Sequence, residues 1–434
     1  MLKKLYKNYK IFQILIVISI GFLRLFNNLF IIVLSRMFVN KNSINFVFIG
    51  PVHSPHFNYF ILKLRKHYVS ENIKICLINS DPNYLVNSFD FRNIVVDRSI
   101  YKLFGYDLQR IDWQHNLFIN GVNKIGNLSK KYIEFMISAF KPHIIWVHDL
   151  QSGGYLCEYI IDRYKSKYPK TTICGSAWGN DLYFFKDLPV HASKLRSILK
   201  SLDFLHIESK REKDIALNLD FKGKFFPVSS ITMTEIGILR KFENEIKTED
   251  KDIFLVVKGS YEFRSNILSL ITDIESDINF WQFKSIHVVN ATDEDIFHMM
   301  RLKYKYNLDI QCSKSLSLED FVCILSRSRF FLTLNLSDGI NNSAVYAAYV
   351  NCIPIMSNHT GFSNYLNASI SDLIVFEFSS IKFPHLFYKL LELSDREINS
   401  LLMNLKLIFE NLIFSDKIQR DILDEVLNHV KRIK

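Results

Sequence analysis

The sequence predicts an α/β protein made of two tandem, doubly wound parallel-sheet domains. Three observations lead there. The chain has 434 residues, more than one hydrophobic core usually supports. From Ile44 onward, short β-branched or aromatic runs alternate with helix-length segments, which is the pattern of parallel βαβ units. A mostly polar and charged stretch at 241–251 then divides that alternation into two series.

The first series reads as strands at 44–49, 73–78, 143–148, 171–174, 203–207 and 225–228, with helices at 58–67, 129–140, 154–168 and 191–202. Parallel strands need such crossovers, so these elements form one Rossmann-like domain. The second series has strands at 253–257, 285–289, 308–312, 330–334 and 353–356, and helices at 266–274, 293–304, 318–326 and 343–350. Ser317 before Leu318-Glu319-Asp320 supplies an N-cap and an acidic first turn. The last forty residues read as helix. The expected organisation is therefore a helical segment at 1–40, a first Rossmann-like domain at 41–240, a linker at 241–251, a second Rossmann-like domain at 252–415 and a terminal helix at 416–434. Open sheets bind ligands outside the carboxyl ends of their strands, so a cleft between the two sets of strand ends is the expected place for chemistry.

Composition narrows the class. Apolar residues make up 48% and charged residues 23%, with 14 glycines and 9 prolines, which excludes collagen-like and broadly disordered chains. The net charge of +10 suits anionic partners. Basic residues are spread along the chain without an aromatic RNA motif, so nucleic acid is not an expected partner. Six cysteines, Cys76, Cys157, Cys174, Cys312, Cys323 and Cys352, are scattered without a CxxC pair, as expected for free thiols in a reducing compartment. No His, Cys and carboxylate group has metal spacing, and neither a metal nor another cofactor is expected. There is no P-loop, no intact GxGxxG and no nucleophile elbow, which argues against a kinase, a dehydrogenase or a serine hydrolase.

Lys3, Lys4, Lys7 and Lys10 precede an apolar run at 11–23; Arg24, Asn27 and Asn28 interrupt it before a second run at 29–39. Neither run reaches the roughly 20 residues that cross a bilayer. A continuous span would bury Gln13, Arg24, Asn27 and Asn28, and the positive-inside rule would export the body of the protein. The expectation is a helical pair lying in the cytoplasmic leaflet, lysines on anionic headgroups. That places the protein on the cytoplasmic face of the inner membrane, peripheral or monotopic. Packing of these helices on the protein's own surface and a single span are the alternatives.

Several motifs carry chemistry. Val256-Val257-Lys258-Gly259 closes a strand and Arg264 follows; a cationic pair there would neutralise a leaving diphosphate. Ser337-Asp338-Gly339-Ile340-Asn341-Asn342-Ser343 runs from another strand into a helix. Gly339 would let backbone approach a ligand, the helix start offers N–H groups to an anion, and Asp338 would accept hydrogen bonds from hydroxyls. The same run is also good turn and N-cap chemistry. In the first half, Gly50-Pro51-Val52-His53-Ser54-Pro55-His56 follows a strand, Val147-His148-Asp149 ends one, and Trp178-Gly179-Asn180-Asp181 forms a turn.

In this order the motifs resemble glycosyltransferase family 4, a retaining GT-B family, over roughly residues 44–415. The Ser-Asp-Gly-Ile-x-Asn-Ser run is similar to a subset with Asp in place of the usual first Glu. The resemblance implies a GT-B fold and Lys258, Arg264, Asp338 and His148 as catalytic groups. Gly259, Gly339, Ile340, Asn341, Asn342, Ser343 and Tyr346 would line the donor site, and His53, His56, Asp149, Trp178 and Asp181 the acceptor side. It departs at Tyr346, where the family carries a second glutamate; a phenol offers one oxygen where a carboxylate offers two. The implied activity is transfer of a hexose, with retention, from a nucleotide-sugar donor to a lipid-linked or cell-surface polysaccharide acceptor at the cytoplasmic membrane surface. The alternatives are a catalytically degenerate GT-B scaffold in polysaccharide assembly and a GT-B sugar-nucleotide epimerase.

Overall fold

The computed structural model describes residues 43–51, 73–79, 94–97, 141–230, 236–242, 250–259, 266–378, 382–413 and 416–433, together with positions 57, 60, 61, 64, 134, 137, 138 and 140. The N-terminal apolar segment, His53, His56 and Arg264 lie outside them.

Two compact units emerge. Among the described residues the first takes in the chain up to Ile207, then Lys213–Pro227 and the final helix; the second takes in Glu208–Glu212 and the chain from Val228. The first unit holds a parallel sheet of β1 (Ile44–Gly50), β2 (Ile73–Asn79), β3 (Ile94–Asp97), β4 (Ile144–His148), β5 (Thr172–Ser176), β6 (Phe204–His206) and β7 (Lys224–Phe225), in the order β3-β2-β1-β4-β5-β6-β7. The second holds β8 (Ile253–Lys258), β9 (Ile286–Val289), β10 (Ile310–Ser313), β11 (Ser328–Thr333), β12 (Ile353–Ser357) and β13 (Val375–Phe376), ordered β10-β9-β8-β11-β12-β13. Every pairing is parallel. Both sheets reverse direction of growth beside their first strand, which is the doubly wound topology.

Strands covered on both faces read as continuous apolar runs. All seven residues of β1 and all five of β4 are buried. In the first unit one face carries a layer of rings, with Phe48 stacked on Trp146 (centroids 6.1 Å), Trp146 on Phe226 (5.5 Å) and Phe204 on Phe226 (5.1 Å). The helix Asp416–Ile433 packs on this layer through Ile422, Leu423, Val426, Leu427 and Val430. Leu255, Val257, Phe330, Leu332, Ile353 and Ile355 form the centre of the second unit's core.

Helix starts follow their caps. Ser317 Oγ accepts from Asp320 N (3.0 Å) at the head of the helix Leu318–Ser326. Thr292 and Asp295 form a reciprocal capping box (3.1 and 2.9 Å) on the helix Asp293–Tyr306, which ends on a left-handed Asn307.

The two-sheet α/β class is as expected, with local differences. β3 and β13 join the sheets although neither was expected, and the strand expected at 225–228 is the two-residue β7, displaced by one position. The last forty residues contain two helices, Asp395–Ile413 and Asp416–Ile433. The contact boundary falls at Pro227 and Val228 rather than in the polar stretch at 241–251, and the final helix belongs to the first unit. A boundary follows packing rather than polarity, and Lys251 at the end of that stretch is itself buried. Among the described residues no helix is long and apolar enough to cross a membrane. Cys174, Cys312, Cys323 and Cys352 are free thiols.

Candidate functional site

In the second unit the topological switch lies between β8 and β11, and the crevice outside such strand ends is where open α/β sheets take ligands. Lys258 is the last residue of β8, in register with Val289 on β9 and Thr333 on β11. It therefore stands half-buried at the centre of the sheet's carboxyl edge. Gly259 follows, its N–H donating to Val289 O at 2.7 Å. A Cβ there would meet Ala291 Cα at 2.9 Å and Asn290 O at 3.0 Å, so glycine lets the chain leave β8 flush against the turn after β9.

Beyond β11 the chain forms the Asp338 turn. Asp338 Oδ2 accepts from Asn335 Nδ2 (2.7 Å) and Asn341 Nδ2 (2.9 Å). Asn341 also donates to Thr333 Oγ1 (3.2 Å), and its Oδ1 accepts Ala344 N (3.1 Å), capping the helix Asn342–Tyr349. One asparagine thus ties the carboxylate to the end of β11 and to the helix start. The turn is also bridged to the loop after β12. Gly361 N donates to Asp338 O (2.9 Å), Asp338 N to His359 O (3.4 Å), and Thr360 Oγ1 to Gly339 O (3.1 Å).

A group absent from the sequence reading completes this arrangement. Arg211 Nη2 donates to Asp338 O at 2.8 Å and Nη1 to His359 O at 2.7 Å. Its neighbour Glu212, fully buried, accepts from Glu208 N (2.9 Å), Ser209 N (3.2 Å) and Ser209 Oγ (3.0 Å). Burial pushes the Glu212 carboxyl up from its ordinary value, opposed by Arg211 and these bonds. Ser230 Oγ and Tyr365 Oη hold Glu208 at 3.1 and 3.3 Å. Gly361 has no room for a side chain beside Ser209, whose Cβ and Oγ would lie 2.7 Å from an added Cβ. The signal was present as Ser209-Lys210-Arg211-Glu212, a capping-box spacing.

Of the other expected donor residues, Asn342 and Ser343 are half-buried in the first helical turn and Ile340 is buried. Tyr346, expected to line the donor site, is 8% exposed and its ring lies edge-on to Phe321, centroids 6.4 Å apart. From Ala344 to Tyr349 every residue of this helix is buried.

In the first unit the switch lies between β1 and β4. His148 closes β4 but has no exposed surface. Its ring sits among Phe48, Phe57, Phe60 and Trp146, centroids 5.0 to 5.9 Å away, and neither nitrogen has a partner among the described residues. Burial, with His206 nearby, lowers its pKa to about 3, so the ring is neutral at ordinary pH. Strand alternation puts His148, expected as a catalytic group, on the same face of the sheet as Trp146. Asp149 follows with φ 65° and its Oδ1 accepts Gln151 N at 2.9 Å. Asp181 Oδ2 accepts Leu150 N (2.9 Å) and Trp178 N (3.0 Å), fastening the segment after β4 to the Trp178-Gly179 turn. Burial, then the adjacent Asp149, pushes the Asp181 carboxyl well above the ordinary range. The structure thus groups Lys258, Gly259 and the Asp338 turn in one unit, and Asp149, Trp178 and Asp181 in the other. Among the described residues no group of His, Cys, Asp and Glu is placed to hold a metal ion.

Two all-parallel, doubly wound units of this kind define the GT-B class of fold. Within that class the N-terminal domain of Candida albicans trehalose-6-phosphate phosphatase matches with a TM-score of 0.67 at 14% identity, over 90% of this chain and 98% of its own. Sucrose-phosphate synthase from Thermosynechococcus elongatus matches at 0.64 and 10% identity, over 91% and 100%. HepE of Anabaena in complex with UDP matches at 0.55 and 9% identity, over 89% and 100%, and its complex with UDP-glucose at 0.56. No protein-family model matches the sequence, and no curated protein matches it significantly.

Proposed function

We propose that the protein is a membrane-associated, retaining glycosyltransferase that moves a hexose from a nucleotide diphosphate sugar to a lipid-linked or cell-surface polysaccharide acceptor. The observation that carries this reading is the placement of Lys258 and the Asp338 turn at the ends of adjacent central strands, β8 and β11, at a topological switch point. The GT-B fold, shared with sucrose-phosphate synthase and with HepE in its UDP-glucose complex, supports it. In this reading the donor diphosphate lies over the carboxyl edge of the second sheet. The Lys258 ammonium, with Arg264 as a second cation, offsets the charge that gathers on the phosphate as the bond to the sugar breaks. Asp338, held by Asn335 and Asn341, accepts hydrogen bonds from donor hydroxyls. The acceptor hydroxyl attacks from the face the phosphate is leaving and gives its proton to a phosphate oxygen, so configuration is kept. The lysines and apolar runs within residues 1–39 bind the chain to the cytoplasmic face of an anionic membrane.

The test is turnover of UDP-, GDP-, dTDP- and CMP-sugars by the purified chain, alongside thermal shift. A true donor at about 100 times its dissociation constant adds ~2.7 kcal/mol of stability. Lys258→Ala is expected to cut turnover by about 10²–10³-fold, the effect of removing one preorganised electrostatic group. Stabilisation by a nucleotide sugar without any turnover would favour the scaffold alternative, and no shift with any of them would end the donor reading.

A further inference from the structure

We infer that Arg211 is a positioning residue of the donor site: its guanidinium fixes where Asp338 stands by holding together the loops that follow β11 and β12. The inference rests on the proposed donor reading of that site.

Apart from the guanidinium, the bonds between the two loops include a good backbone bond (Gly361 N to Asp338 O, 2.9 Å), one at the weak end of the range (Asp338 N to His359 O, 3.4 Å) and a side-chain bond from Thr360. Arg211 adds charge-assisted bonds of 2.8 and 2.7 Å to the same two carbonyls, Asp338 O and His359 O. A planar fork spans two acceptors at once, whereas a lysine ammonium is a compact point charge on a flexible stem. The fork is itself anchored. Arg211 follows Ser209 in the turn closed by the buried Glu212, whose carboxylate lies 3.7 Å from Nη2. The side chain is only 17% exposed, so water competes little for its donors.

The Asp338 carboxylate is clamped on the β11 side by Asn335 and Asn341 and through its own carbonyl on the β12 side by Arg211. Loss of the second clamp frees the main chain carrying the carboxylate while leaving the β8 end and Lys258 untouched. A displacement of about 1 Å at such a group is enough to cost on the order of a hundredfold in a bound geometry. Asp338 serves sugar hydroxyls and Lys258 the diphosphate, so the consequence is selective: sugar recognition suffers and nucleotide recognition does not.

The experiment compares wild type with Arg211→Met, titrating the full chain with UDP and with UDP-glucose, or with GDP and GDP-mannose if the wild type prefers guanosine. Amide hydrogen exchange is measured in parallel. The expected result is a dissociation constant for the free nucleotide within twofold of wild type, one for the nucleotide sugar raised at least tenfold, and faster exchange at Asp338 and Gly361. Equal weakening of both ligands, or weakening of neither, overturns the inference. Should Arg211→Met fail to fold, Arg211→Lys, which keeps the charge and one bond, must show the same selectivity at smaller size. If the wild type binds no nucleotide sugar, the donor reading fails, and exchange alone decides the positioning: unchanged rates at Asp338 and Gly361 refute it, while faster rates confined to the two loops uphold it.

Discussion

Lys251 is 9% exposed, and its ammonium donates to Val350 O at 2.9 Å, at the carboxyl end of the helix Asn342–Tyr349. Lys406 reaches the same end through Asn351 Oδ1 at 3.2 Å. Cations there complement the helix dipole, yet burial draws the Lys251 pKa down from 10.5 to about 8, helped by Lys406 and opposed by the Cys352 thiol. The folded state then holds this proton less tightly than the unfolded chain. Stability should rise as pH goes from about 8 to 10.5, and the gain should disappear again as pH falls through 8. Thermal midpoints across that window should climb in wild type relative to Lys251→Met; parallel curves would refute it. The same scale shows what single residues reveal in advance. The places of Lys258 and Asp338 in the fold were legible because each follows a strand-like run beside a glycine or an asparagine-rich turn. Arg211 was not, because its partners are main-chain carbonyls more than a hundred residues away, and a carbonyl has no signature in sequence. The aromatic setting of His148 was not legible either, because alternation along β4 decides which way the ring points and the rings around it come from other elements.

The six residues Asp149–Gly154 form a turn of π-helix where β4 ends, and two adjacent glycines there face different neighbours. A Cβ on Gly153 would lie 2.7 Å from both His148 O and Ile49 O, whereas one on Gly154 would find its tightest contact at the Ile198 Cδ1 tip, 3.0 Å away, and then Leu150 Cβ at an ordinary 3.7 Å. Main-chain oxygens cannot turn aside; a side-chain methyl can. Gly153→Ala should destabilise the protein by about 1–3 kcal/mol, the usual cost of overpacking, and Gly154→Ala by much less. Equal denaturation midpoints for the two variants would contradict this account. Elements of ordinary length were legible, since buried parallel strands such as Ile44–Gly50 announce themselves as apolar runs. β3 and β13, four and two residues long, are specified by the neighbour they pair with, and no local pattern of that length separates a strand from a loop.

The first unit draws its core from both sides of the second: the helix Asp416–Ile433 returns to cover the ring layer of Trp146, Phe204 and Phe226. Its five buried aliphatic side chains contribute on the order of 10 kcal/mol at about 1.5–3 kcal/mol each, similar to the whole stability of a domain. A chain ending at residue 415 should therefore lose the cooperative unfolding transition of the first unit and bind a hydrophobic dye; retention of that transition would show the helix to be dispensable. The last forty residues were legible as helix, and within them Ile422, Val426 and Val430 recur every four positions as an apolar stripe. What that stripe covers was not, because a stripe specifies burial without specifying a partner.

This return has a cost in time. At roughly 5–20 residues per second of translation, the interval between Pro227 and the final helix leaving the ribosome is roughly 10 to 40 s. Throughout it the nascent first unit presents an uncovered aromatic sheet face to water, the kind of surface that chaperones hold.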